Sequence, residues 1–124
     1  MILHIDIETR SYADLKKLGV YRYSEDPGFS ILLFAYAYDD RPVSVIDLAQ
    51  GEEIPEEVLT ALIDSTITKS AYNAQFERVC LNRYFNLDTG PWHCSMIQAN
   101  CLGLRGSLSS VGAALNLAPD EQKL

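Results

Sequence analysis

Two carboxylates separated by one residue follow an apolar run near the start of the chain, where the sequence reads MILHIDIET. In a β-strand alternate side chains share a face, so Asp6 and Glu8 would project together, about 6.5 to 7 Å apart along the backbone. Leu3, Ile5 and Ile7 would then enter a core. Such a carboxylate pair suits a divalent metal ion. The same alternation also fits a half-buried strand whose polar face is only hydrated.

A second group of polar and aromatic residues, Asn73-Ala74-Gln75-Phe76-Glu77, lies at a predicted strand-to-helix junction. Asn73 could serve as the helix cap, and Glu77 would lie in the first turn, where a negative charge stabilises the helix dipole. That structural role requires no active site. The pentapeptide alone therefore leaves open whether these residues also contribute to chemistry.

The elements that would position both groups follow from apolar patterning and turn signals, which predict the order β, β, β, α, β, α, β, α, α. The strands are expected at the amino terminus, at Ile31 to Tyr38, at Val43 to Leu48, at Ile67 to Tyr72 and from Trp92; the helices are expected after Pro55, after Asn73, up to Leu102 and from Ser107. The segment between the first two strands, Arg10 to Phe29, is predicted to be a long connection with a turn at its Asp-Pro-Gly sequence.

Length and composition narrow the class of protein. With 124 residues, the chain is long enough for one domain and one core. No apolar run approaches the roughly 20 residues that span a bilayer, and the amino terminus has no secretory signal, so we expect a soluble cytoplasmic protein with no membrane partner. A net charge of −7 disfavours a general nucleic-acid binder, but carboxylates loaded with divalent cations can still attract phosphate.

The cysteines give no sign of a disulfide framework. Cys80, Cys94 and Cys101 are odd in number and form no CxxC pair, which indicates reduced, mostly buried thiols. A zinc site built from these residues and His93 is disfavoured, because their spacing matches no structural zinc pattern.

The two motifs together resemble a known family. Asp-x-Glu-Thr on the first strand, followed later by Asn-x-x-Phe-acid, is similar to the first two motifs of the DEDD 3′–5′ exonucleases. The likeness extends over Asp6 to Ser11, Gly19 to Tyr23, Glu25 to Pro27, Ile31 to Tyr38 and Asn73 to Arg78, which resemble the amino-terminal proofreading domain of phage and bacterial family A DNA polymerases. This resemblance implies an α/β, ribonuclease H-like fold with a mixed five-stranded sheet flanked by helices.

The resemblance also implies a site and a reaction. Asp6, Glu8 and Glu77 would be catalytic metal ligands, and Thr9, Asn73 and Phe76 would contact the end of the bound strand. The complete family site holds two Mg²⁺ or Mn²⁺ ions and hydrolyses 3′-terminal nucleotides from single-stranded DNA. The expected partners are therefore a single-stranded DNA 3′ end and a polymerase domain in the same parent chain.

This chain departs from the family pattern at two places. Glu77 stands where the family usually has Asp, so its longer side chain would reach a metal through another rotamer or through water. The third motif, a Tyr or His four residues before the last metal-binding Asp, is expected after the Ser107 helix, and residues 119–124 contain no candidate. We therefore expect residues 1–124 to be a single, carboxyl-terminally incomplete exonuclease domain. Such a fragment should be nearly inactive alone and should self-associate through apolar surface.

Two alternatives remain open at this stage. The first is a stand-alone DEDD ribonuclease, because the same carboxylate chemistry serves RNA. The second is a ribonuclease H-like domain that has lost catalysis and acts as a structural or protein-contact module. The three retained acidic residues argue against that loss, and the long polymerase-like stretch from Gly19 to Leu48 disfavours the ribonuclease.

Overall fold

A mixed five-stranded sheet forms the centre of the computed structural model, which describes residues 1–103. The strands are β1 (Ile2–Arg10), β2 (Ser30–Tyr38), β3 (Ser44–Asp47), β4 (Thr68–Ala71) and β5 (Trp92–Cys94), arranged in the order β3-β2-β1-β4-β5. The first three strands form an antiparallel meander. β4 runs parallel to β1, and β5 runs parallel to β4. The predicted mixed sheet of five strands is confirmed.

Four α-helices accompany this sheet in the described part of the chain. They are α1 (Leu15–Glu25), α2 (Glu56–Ile63), α3 (Ala74–Phe85) and α4 (Ser95–Cys101), and a short 3₁₀ helix covers Leu48–Gln50. α2 begins with two glutamates at the positive end of its dipole, as the sequence predicts. None of the helices within residues 1–103 combines the length and the apolar character needed to span a membrane.

The core lies on one face of β1. Leu3, Ile5 and Ile7 are each 5% exposed or less and pack with residues of β2, α2 and α3. The other buried members of this cluster are Ile31, Phe34, Ile54, Val58, Ala61, Leu62, Cys80 and Leu81. Because side chains alternate along β1, covering this face leaves His4, Asp6 and Glu8 on the opposite, exposed face.

One sequence prediction was wrong in the segment between β1 and β2, which contains helix α1 rather than a continuous connection. The Asp14 side chain caps this helix by accepting from the amides of Lys16 and Lys17. Gly19 then interrupts it with a φ of +81° and a ψ of 169°. A helix broken in this way shows no sustained 3.6-residue apolar period, which explains why patterning missed it. The helix predicted from Ser107 lies outside the described residues.

Candidate active site at the carboxyl end of the central strand

The two strand carboxylates lie on one exposed face, as their spacing predicts. Asp6 and Glu8 are both exposed, whereas Ile5 before them and Ile7 between them are buried. A β-bulge follows directly, because the pairing with β2 shifts register between Glu8 and Thr9. Bulges bend a strand and change the direction of the side chains near them. The bulge therefore separates the carboxylate pair from Thr9, which is still paired with Ile31 of β2.

The second motif begins where the neighbouring parallel strand ends. His4 pairs with Ser70 on β4, and β4 stops at Ala71, so Asp6 and Glu8 continue beyond the last residue of β4. The chain then turns at Asn73 into α3, which packs against β1. Parallel strands place their carboxyl ends at the same edge of a sheet, so both motifs meet at this edge.

Asn73 is the N-cap residue of α3, but its side chain does not act as a cap. It makes no capping hydrogen bond to the amides of this described helix, and its backbone is left-handed, with φ 78° and ψ 62°. An ordinary N-cap has an extended backbone, which directs its side chain to the amides two and three residues on. The interpretation of Asn73 as a simple cap is therefore wrong. The exposed carboxamide remains available to another partner.

Glu77 lies in the first turn of α3 and is 5% exposed, in contrast with Asp6 and Glu8. It lies one turn before Cys80, which belongs to the core cluster. Burial, assisted by the negative charge of Glu77, raises the pKa of the Cys80 thiol to about 12. Cys80 is therefore an inert core thiol, and Glu77 lies at the boundary between the core and the candidate site.

A hydroxyl pair connects the end of β1 to α1. The Thr9 Oγ1 and the Tyr23 hydroxyl oxygen are 2.8 Å apart, and the Ser11 hydroxyl donates to the Tyr23 carbonyl oxygen at 2.8 Å. The centroid of the Tyr23 ring lies 6.0 Å from that of the Phe76 ring and 5.8 Å from that of the Phe29 ring. Tyr23 thus joins residues of both motifs, Thr9 and Phe76.

Reasoning from the sequence missed the role of Tyr23. The chain has seven tyrosines, and nothing in their spacing distinguishes this one from core or rim residues. The signal that could have found it is Asp14, a good N-cap residue placed before a segment that includes Tyr23.

The predicted site residues are brought to one end of the sheet, but they do not form a closed metal cage. Among residues 1–103, no three histidine, cysteine or acidic side chains lie close enough together to share a metal ion. Asp6 and Glu8 form an exposed pair on one side, and Glu77 is buried at the neighbouring junction. The assignment of these three residues as metal ligands stays a prediction.

Comparison with known proteins gives one match of high identity. The chain is 54% identical over 123 residues to a DNA polymerase of Bacillus phage SP02, and the alignment covers 98% of this chain. The predicted resemblance to a DNA polymerase is confirmed. The chain spans only 19% of the length of that polymerase. No protein-family model matches the chain.

Solved structures of nucleases share the fold. NrnC of Brucella melitensis matches with a TM-score of 0.72 at 20% identity, over 99% of this chain and 54% of NrnC. The EXD2 exonuclease domain matches with a TM-score of 0.51 at 23% identity, over 97% of this chain and 60% of that domain. The ribonuclease H-like fold is therefore confirmed. The NrnC structure with bound Mg²⁺ matches with a TM-score of 0.71 at 19% identity, over 98% of this chain and 57% of NrnC. The NrnC structure with bound pGG matches with a TM-score of 0.70 at 20% identity, over 99% of this chain and 56% of NrnC.

Proposed function

We propose that residues 1–124 belong to the 3′–5′ exonuclease domain of a DNA polymerase, and that the complete domain removes 3′-terminal nucleotides from single-stranded DNA. The observation that carries this proposal is the placement of Asp6 and Glu8 and of the Asn73–Glu77 junction at the same end of the sheet. The identity with a phage polymerase supplies the context, and the nuclease fold agrees with the chemistry. The polymerase domain would lie elsewhere in the parent chain.

The donor set fits a hard divalent cation. Asp6, Glu8 and Glu77 offer only carboxylate oxygens, which Mg²⁺ and Mn²⁺ prefer over nitrogen or sulfur. Asp6 and Glu8 would hold the ions directly from their shared exposed face. Since the described residues form no group of three metal donors, Glu77 would bind an ion after a change of rotamer or through a water molecule. The relative NrnC has been solved with bound Mg²⁺, which supports a divalent cofactor here.

The cations, two in the complete site, would supply an activated water and neutralise charge in the transition state. The chain's own residues would position the strand end. The exposed Asn73 carboxamide can both donate to and accept from a terminal nucleotide. Thr9 is held by the hydroxyl of Tyr23. The half-buried Phe76 ring lies beside the Tyr23 ring and offers an apolar surface. A base or sugar could pack on that ring.

A digestion assay on the full-length parent chain, rather than on residues 1–124 alone, tests this function. We expect a single-stranded DNA labelled at its 5′ end to be shortened from its 3′ end with Mn²⁺ or Mg²⁺, and EDTA to stop the reaction. Asp6→Ala should lower the rate by more than about 100-fold, because even residues that only support a metal ligand are worth about 10- to 100-fold. Asp40→Ala, which removes an exposed acidic residue from the β2–β3 turn, should leave the rate unchanged.

The outcomes separate the alternatives. Digestion of RNA but not DNA would replace the proposal with a ribonuclease. A folded protein that digests neither substrate with either metal would instead favour the structural module without catalysis. Equal losses in Asp6→Ala and Asp40→Ala would show that the exposed carboxylate pair has no special role.

A further inference from the structure

The amino-terminal end of α3 takes an acceptor from a different strand. The backbone N–H of Ala74 donates to the Cys94 Sγ at 3.3 Å. Cys94 is the last residue of β5 and pairs with Ala71 of β4, which places its side chain beside the turn that begins α3. Ala74 is only 4% exposed, so its amide has little access to water. The sulfur therefore satisfies a buried donor that would otherwise cost free energy.

This hydrogen bond goes to α3 although Cys94 is itself the N-cap residue of α4. Its side chain makes no capping hydrogen bond to α4 within the described chain. Partial burial acts to raise the pKa of the Cys94 thiol, but the amides of Ala74, Ile97, Asn73 and Met96 outweigh it, so the pKa falls below its ordinary value. Amides from the starts of two helices thus lower the pKa of this thiol, and the amide that donates to the sulfur at 3.3 Å belongs to α3.

We infer that Cys94 is a positioning residue for the proposed exonuclease site, because its sulfur holds the start of α3 and so fixes the turn that presents the Asn73 carboxamide to the terminal nucleotide. The sulfur occupies the Ala74 amide while the left-handed backbone of Asn73 keeps its carboxamide away from the helix amides. Without the sulfur, the buried amide would be unsatisfied. The strand-to-helix turn would then lose one of its anchors, and the left-handed backbone that directs the Asn73 carboxamide would be held less firmly. This inference rests on the proposed function.

The test combines kinetics with a readout that does not depend on activity. In the full-length protein, Cys94→Ala should raise the KM for single-stranded DNA about threefold to tenfold, while kcat stays close to the wild-type value. Cys94→Ser keeps an acceptor and should restore most of the affinity. Cys101→Ser changes an exposed thiol and serves as the matched control. Amide hydrogen exchange at Ala74 should accelerate in Cys94→Ala and stay slow in Cys94→Ser.

A double-mutant cycle with Asn73→Ala isolates the coupling. If Cys94 acts through Asn73, the double variant should have the same KM as Asn73→Ala alone. Independent additive effects, or an unchanged KM in Cys94→Ala, would overturn the inference. A wild-type protein that fails to digest DNA would instead refute the proposed function, so the two failures are distinguishable.

Discussion

Charged side chains have opposite surroundings on the two faces of the central sheet. On the exposed face, Asp6 and Glu8 project into solvent at the end of β1. On the core face, Lys69 pairs with Leu3 and is completely buried. Its Nζ donates to the carbonyl oxygens of Asp64 at 2.7 Å, Ile67 at 2.9 Å and Gly90 at 2.5 Å. All three hydrogens of the ammonium group are therefore satisfied within the protein.

This difference separates charge that holds the fold together from charge that is available to a ligand. Lys69 connects the turn before β4 to the segment before β5, and burial lowers its pKa although the Asp64 carboxylate acts in the opposite direction. The strand carboxylates of Asp6 and Glu8 are instead exposed, so they remain accessible to a ligand from solvent. Substitutions on the two faces should consequently change different properties.

The largest effect on stability is expected at Lys69. Lys69→Met keeps the length of the side chain but leaves three carbonyl oxygens without their donor, so we expect a loss of about 1–3 kcal/mol in the free energy of unfolding. Urea unfolding followed by circular dichroism measures it. Lys16→Met, in exposed α1, is the control and should change stability by less than about 0.5 kcal/mol. Equal stability of the two variants would contradict the structural role of the buried ammonium.

A smaller effect of opposite sign is expected on the exposed face. Asp6→Asn removes one of two neighbouring negative charges and should raise the stability of the metal-free protein by less than about 1 kcal/mol. It should also weaken the stabilisation that Mn²⁺ provides, because that stabilisation depends on the affinity of the folded state for the ion. Thermal unfolding with and without Mn²⁺ measures both effects.

Asp40→Asn, an exposed residue of the β2–β3 turn, is the control for this experiment and should keep the full Mn²⁺ response. If Asp6→Asn behaves like this control in both conditions, the carboxylates of β1 form no metal site. Taken with Lys69→Met, the pair of experiments asks whether the two faces of the sheet are as different in function as they are in structure.

The sequence allowed much of this arrangement to be predicted, because β1 alternates cleanly. Leu3, Ile5 and Ile7 specify the buried face, and that choice fixes the exposed face of Asp6 and Glu8. Strand β4 and the helix after Asn73 also follow from local patterns, although the parallel direction of β4 does not. These features depend on period and on neighbouring residues, which a single sequence displays directly.

Features that depend on contacts between distant residues could not be predicted. The capping of α3 by Cys94 needs the β4–β5 register, which brings together residues 20 positions apart. Lys69 looks like an exposed strand lysine until Gly90, 21 positions away, is placed beside it. Helix α1 was missed because Gly19 breaks its period, and the contact between Tyr23 and Thr9 was missed with it.

The smallest predicted effect concerns that contact and tests whether the two motifs are mechanically joined. Tyr23→Phe keeps the ring beside Phe76 and removes only the hydroxyl next to Thr9. We expect a rise of about twofold to threefold in the KM for single-stranded DNA, corresponding to the weaker end of the range for one lost hydrogen bond, with little change in kcat. Tyr21→Phe, on the exposed side of α1, is the matched control. An unchanged KM in Tyr23→Phe would mean that Thr9 needs no support from α1. The residues of the candidate site would then be positioned by β1 and α3 alone.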